Sequence, residues 1–221
     1  MLGRDLVVLD LETTGKNPDT CSIIQIGCCI VDRKTLGYIH PHTLSVNGSF
    51  NEYVLPYTNV WEQEAAEVHH IEKQFLNDNG RPIELVLEDL EGRLLSPRGI
   101  PELDLRKTYY LATWGSWDIQ VLRRAYLYLV KDYPFTYRSF DVSSFVRLYL
   151  WSIGKLHKDR VGLYPCAKAL NIDVEIFSQH DAYHDAVLTA EVLIKVLRDI
   201  KKQRELVSAL GVSFNLNPKT V

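Results

Sequence analysis

Leu6-Val7-Val8-Leu9-Asp10-Leu11-Glu12-Thr13-Thr14-Gly15 is the stretch on which the fold turns. Its first four residues are apolar and partly β-branched, which reads as a buried strand. Side chains alternate along a strand, so Asp10 and Glu12 emerge side by side on one face. Two such carboxylates repel, and burial penalises their charge. A pKa must rise or the strand end must loosen, unless a cation sits between them. Oxygen-only ligands of this kind suit Mg²⁺ or Mn²⁺. The plainer alternative is a strand that ends in solvated acids.

Outward from this stretch, Gly15-Lys16-Asn17-Pro18 makes a turn, and residues 22–31 form a second apolar strand, predicting a hairpin. A third strand is expected between Tyr38 and Val46, and a fourth at Tyr53-Val54-Leu55. Apolar spacing predicts helices over 61–71 and 82–95, with Pro82 in the first turn of the latter. Tyr109–Thr113 reads as a strand leading to Asp118 and a helix over 119–129. Helices are further expected over 140–151, 163–170 and 183–204. The expectation is an α/β fold with a mixed five-stranded sheet flanked by helices. One domain occupies 1–205, and residues 206–221 form a tail of unassigned role.

At 221 residues, with 46% hydrophobic and 24% charged residues, the chain has material for a sizeable core. A net charge of -3 gives no global basic field, so an anionic partner must be met by a local patch or by bound metal. No run approaches the roughly 18 apolar residues of a membrane span, and the nine residues before Asp10 show no charged head and apolar middle of a secretory signal. The expected location is cytoplasmic, without a membrane. Cys21, Cys28, Cys29 and Cys166 show no zinc-type spacing and read as packed, reduced thiols.

Asp118 stands where a helix follows a strand, and His180 approaches the final helix that carries Asp185. Two metal ions about 3.5 to 4 Å apart need several carboxylates, and Asp10, Glu12, Asp118 and Asp185 supply four. A histidine outside the metal shell could take a proton from an attacking water. Together, the D-x-E-T-T-G stretch, Asp118 and the H-x(4)-D pair His180/Asp185 resemble the three motifs of the DnaQ-like DEDDh 3′-to-5′ exonucleases of the ribonuclease H-like superfamily. Ala65-Ala66-Glu67-Val68-His69-His70-Ile71 resembles a helix of that family bearing Val-His-Gly-Ile, with His70 in place of glycine. The similarity runs from Leu6 to Leu197. The Trp114-Gly115-Ser116-Trp117-Asp118 segment departs from the commoner second motif and is similar to relatives resembling the histone-mRNA 3′-end exonucleases.

That resemblance implies two Mg²⁺ or Mn²⁺ ions per site, held by Asp10, Glu12, Asp118 and Asp185, with His180 as general base. It implies hydrolysis of single-stranded DNA or RNA from the 3′ end, releasing nucleoside 5′-monophosphates. Leu11, Thr13, Thr14 and His69 would contact the terminal nucleotide, although the threonines also suit a plain turn and His69 a core position. Trp114 is a candidate stacking surface for a base, whereas Trp117 suits packing. His184 reads as structural, His40-Pro41-His42 as a loop, and Lys155, Lys158, Arg160, Arg123 and Arg124 as a solvated face that could meet phosphates. Oligomeric state is left open, a homodimer included. Rival readings are a proofreading or repair component of a larger assembly, or a silent nucleic-acid-binding module on the same fold.

Overall fold

The computed structural model describes residues 3–39, 49–95, 104–156 and 161–209. At its centre lies β1 (Asp5–Thr13), antiparallel to β2 (Ile23–Val31), which pairs antiparallel with β3 (Ser49–Tyr53). On the other side β1 pairs in parallel with β4 (Tyr109–Thr113), and β4 pairs in parallel with β5 (Ser139–Asp141). The sheet is therefore mixed and five-stranded, in the order β3-β2-β1-β4-β5. Burial on both faces explains why β1 and β2 read as continuous apolar runs.

Alternation along β1 divides the core in two. Val7, Leu9 and Leu11 pack on one face with α3 (Ile83–Leu95) and α5 (Trp117–Tyr128). Leu6 and Val8 pack on the other with α6 (Val142–Ser152), α7 (Leu163–Ala169) and α8 (Ala182–Ala209). The adjacent Cys28 and Cys29 split in the same way, one to each cluster. All four cysteines are free and buried, and burial pushes the Cys28 thiol up to about 12. Each fully buried Leu, Ile or Val contributes on the order of 1.5–3 kcal/mol, so β1 alone anchors both layers.

Four expectations need correction. The strand expected at Tyr53-Val54-Leu55 ends at Tyr53, and Val54 makes only an isolated bridge to Arg81. The segment 140–151 begins as β5, because an edge strand of three residues is too short to show a period of two. Two short helices, α2 (Lys73–Asn79) and α4 (Leu105–Thr108), lie where none was read. The boundary at 205/206 falls inside α8, which continues to Ala209. Most of the strand expected between Tyr38 and Val46, the His40-Pro41-His42 loop, Lys158, Arg160 and the tail from 210 lie outside the described residues. No helix among the described residues is long and apolar enough to cross a membrane.

Candidate active site

The face of β1 that carries Leu6 and Val8 continues into Asp10 and Glu12, so the two acids meet α8 where the apolar packing ends. Across the hairpin Asp10 pairs with Gly27 and Glu12 with Gln25. A Cβ on Gly27 would lie 2.2 Å from the carbonyl carbon and oxygen of Ala182 and from the nitrogen of Tyr183. Only glycine lets the start of α8 approach the sheet this closely. Gln25 then clamps the helix entry: its Oε1 accepts from the backbone N–H of Ala182 at 3.2 Å, and its Nε2 donates to Asp181 Oδ2 at 3.0 Å. One turn into α8, Asp185 is thereby carried over the end of β1.

His180 precedes the helix with φ 60°, a left-handed backbone that is uncommon outside glycine. Its backbone N–H donates to Asp185 Oδ2 at 3.2 Å. A ring nitrogen of His180 and carboxylate oxygens of Glu12 and Asp185 all lie within 4.8 Å of one another. Asp118 enters from the first turn of α5, where the helix dipole favours a negative charge, and accepts from backbone N–H groups, including that of Leu11.

Burial and mutual repulsion push these acids up together. Asp10 is raised well above the ordinary range, first by burial and then by Asp118, Glu12 and Asp185. Glu12 is pushed up to about 9 by burial, then by Asp185 and Asp118. Asp118 rises to about 7, chiefly through burial. Asp185 is raised by burial and partly held down by its hydrogen bonds from Tyr164 and His180. Four carboxylates in one recess cannot all ionise without a cation among them. Their hard oxygen donors fit a divalent ion such as Mg²⁺ or Mn²⁺.

Two residues at this centre escaped the sequence reading. Tyr164, on α7, donates its hydroxyl to Asp185 Oδ1 at 2.9 Å, and its phenol is pushed up by burial and by Asp185, Asp10 and Asp181. No local pattern betrays a contact across 21 positions. Asp181 sits within the H-x(4)-D segment itself and turns a second acid of that segment toward the centre, held by Gln25 and by the backbone N–H of His184 at 3.0 Å.

The substrate-contact expectations divide. Leu11 points away from the acids and is 5% exposed in the core, because it alternates with them on β1; its side chain is not available to a ligand. Thr13 and Thr14 are buried in the turn: Thr13 Oγ1 donates to the carbonyl of Gly15 at 3.0 Å, and Thr14 Oγ1 accepts from the N–H of Ser22 at 2.8 Å. Their hydroxyls serve the loop. Trp114 is partly buried against the α8-side cluster. Trp117 packs on the opposite cluster and donates its Nε1–H to the carbonyl of Lys16 at 3.2 Å. His184 is structural as expected, its Nδ1 accepting from the N–H of Ser178 at 3.0 Å.

His69 is brought to the site by α1 (Gln63–His69). The backbone N–H of Glu62 donates to the carbonyl of Thr14 at 2.7 Å, which pins the start of that helix to the turn after β1. The His69 Nδ1 accepts from the N–H of Ile71 at 2.9 Å, and its Nε2 is buried with no partner among the described residues. Burial, with His70 and His180 nearby, pushes its pKa down to about 4. His70, standing where the resemblance has glycine, adopts φ 55° and closes the helix in the left-handed conformation that glycine takes freely.

With this geometry in place, residues 7–193 match the family model RNase_T, described as an exonuclease. The chain belongs to this exonuclease family. A comparison with curated proteins finds no match. Among solved structures, the exonuclease chain is similar to cell-death related nuclease 4, with 17% identity, 88% of this chain and 64% of that one covered, and a TM-score of 0.67. It is similar to a 3′-exonuclease recognising the 3′ end of a histone mRNA stem-loop, with 18% identity, 90% and 84% covered, and a TM-score of 0.67. It is also similar to the zinc-bound E. coli exonuclease I–single-stranded DNA complex, with 14% identity, 93% and 43% covered, and a TM-score of 0.70. The exonuclease chain spans less than two thirds of the length of the first and third of these. At such identities the likeness establishes the fold, which is the ribonuclease H-like mixed sheet.

Proposed function

We propose that this chain is a divalent-metal-dependent 3′-to-5′ exonuclease of the DEDDh type, acting on single-stranded DNA or RNA ends. The convergence of Asp10, Glu12, Asp118 and Asp185 on one buried recess, with the His180 ring beside Glu12 and Asp185, carries this reading. The four carboxylates would hold two Mg²⁺ or Mn²⁺ ions. Such ions lower the pKa of an attacking water and neutralise charge growing on the scissile phosphate. His180, exposed on one side, can take the proton from that water and return it to solvent. The new P–O bond forms as the bond to the preceding 3′ oxygen breaks, and a nucleoside 5′-monophosphate leaves.

His69 supports substrate binding. With Nδ1 accepting from Ile71, its single proton resides on Nε2, and a pKa pushed down to about 4 keeps the ring neutral near pH 7. A buried donor without a partner among the described residues suits an oxygen of the terminal nucleotide, whether sugar hydroxyl or phosphate. Trp114 remains a stacking candidate, because it is only partly buried against the α8-side cluster. The similar structures include partners of both kinds, a histone mRNA stem-loop and single-stranded DNA, so DNA and RNA stand together in this proposal.

A 5′-labelled oligonucleotide tests the reading. Stepwise shortening that requires Mg²⁺ or Mn²⁺ and is lost in Asp10→Ala is the expected result. Binding without shortening under either metal would refute it.

A further inference from the structure

At the N-terminal ends of β1 and β4, away from the carboxylates, lies an open cavity of about 780 Å³. Five cationic residues and two acidic ones line it, in a chain whose net charge is -3. Two of the cations are neutralised: Lys131 pairs with Glu84 and Glu88, and Lys107 with Asp104. The other three are arginines whose guanidinium groups are, among the described residues, oriented by backbone carbonyls rather than carboxylates. Arg4 donates to the carbonyl of Arg106, Arg106 to that of Tyr133 at 2.8 Å, and Arg123 to that of Tyr137 at 2.9 Å. Carbonyls fix a guanidinium without cancelling its charge, so it can still meet an anion.

Aromatic faces accompany these cations. Arg4 lies 4.7 Å from the Tyr110 ring centroid and Arg123 5.3 Å from that of Tyr133. At the rim the Tyr137 ring is 75% exposed, with Arg138 5.6 Å from its centroid. Oriented arginines beside an exposed ring match a nucleic-acid strand, which offers a phosphate and a base face at every step; an acidic peptide offers carboxylates alone.

We infer that this cavity is a second nucleic-acid site, binding backbone phosphates of the strand upstream of the 3′ end held at the carboxylate centre. The inference rests on the proposed exonuclease reading for the identity of the strand. Arg4, just before β1, lies six residue steps from Asp10, about 20 Å at roughly 3.3 Å each. A stacked strand covers that in about six nucleotides. The exposed face of α5, with Gln120 and Arg123, lies along the way. Oligonucleotides shorter than about six nucleotides cannot reach both places, and longer ones can.

The test compares 5′-labelled dT4 and dT20 by fluorescence anisotropy in EDTA, over a salt series, on the full chain and on two variants. Arg123→Gln/Arg138→Gln removes two contacts, and Arg138→Glu reverses one surface charge without touching a buried bond. The expected result for the double variant is about tenfold weaker dT20 binding, unchanged dT4 binding, and a shallower slope of log affinity against log salt. At roughly 0.7 per lost phosphate contact on a single strand, that slope falls by about 1.4. Arg138→Glu should weaken dT20 alone. Unchanged dT20 affinity and slope in both variants overturns the inference. Displacement of dT20 by an equal length of polyglutamate as effectively as by unlabelled dT20 overturns the nucleic-acid assignment. If the wild-type chain binds both oligonucleotides but shortens neither when Mg²⁺ is added, the exonuclease reading fails, and the dT20 comparison still decides the cavity.

Discussion

Glu12→Gln should stabilise the metal-free protein at neutral pH while abolishing its hydrolytic activity. The folded structure pushes the Glu12 carboxyl up from 4.5 to about 9, through burial and then through Asp185 and Asp118. A carboxyl raised in this way favours the fold fully below about pH 4.5. That contribution is lost as pH rises through about 9, because the unfolded chain releases a proton the folded chain retains. Between 4.5 and 7 the loss accumulates at about 1.36 kcal/mol per pH unit, on the order of 3 kcal/mol in all. Glutamine does not titrate, so the variant escapes this loss. In a domain of this size 1 kcal/mol corresponds to about 2–4 °C, placing the variant about 6 to 12 °C above wild type at pH 7 and near it at pH 5. Circular-dichroism melts in EDTA from pH 5 to 8.5 read the difference directly. Adding Mg²⁺ should raise the wild type and close most of the gap. Parallel curves for the two proteins at every pH would refute the picture of a crowded, cation-requiring recess.

Further outcomes follow from the same contacts. Gly27→Ala puts a methyl 2.2 Å from the Ala182 and Tyr183 backbone, so α8 must retreat from the sheet; a loss of about 3 kcal/mol or more in a denaturant melt is expected, together with most of the nuclease activity. Tyr164→Phe removes the hydroxyl that orients Asp185, and calorimetric Mg²⁺ titration should show affinity weakened by about tenfold while the melting temperature moves little. An unaltered Mg²⁺ affinity would show that this hydrogen bond plays no part in holding the ion. His180→Ala should bind oligonucleotide and metal normally yet cleave about a hundredfold or more slowly, and an unchanged single-turnover rate would remove it as the base.

Much of this was legible in the linear chain. The alternation Leu6, Val8, Asp10, Glu12 is a local property, since a strand's period of two is set by its backbone, and it placed both acids on one face before any partner was known. The hairpin, the helices carrying Asp118 and Asp185, and the packed thiols were likewise readable from short-range pattern, and the exonuclease family from the resemblance its motifs carry. Leu11, Thr13 and Thr14 show the limit of such pattern, because motif spacing records which residues recur near a site. It does not record whether a side chain faces that site or closes the turn beneath it.

Tertiary structure decided what depends on distant segments meeting. The hydrogen bond from Tyr164 to Asp185, the clamp of Gln25 on the entry to α8, the close approach that Gly27 permits, and the arginine cavity at the far end of β1 join residues remote in sequence. None has a local signature, because the energy that selects each arises only when the sheet and helices bury one another. The sequence by itself determined which side chains could do the chemistry. The packing of α8 and α5 against the sheet determined that four of them share one recess, and repulsion within that recess is what calls for a cation.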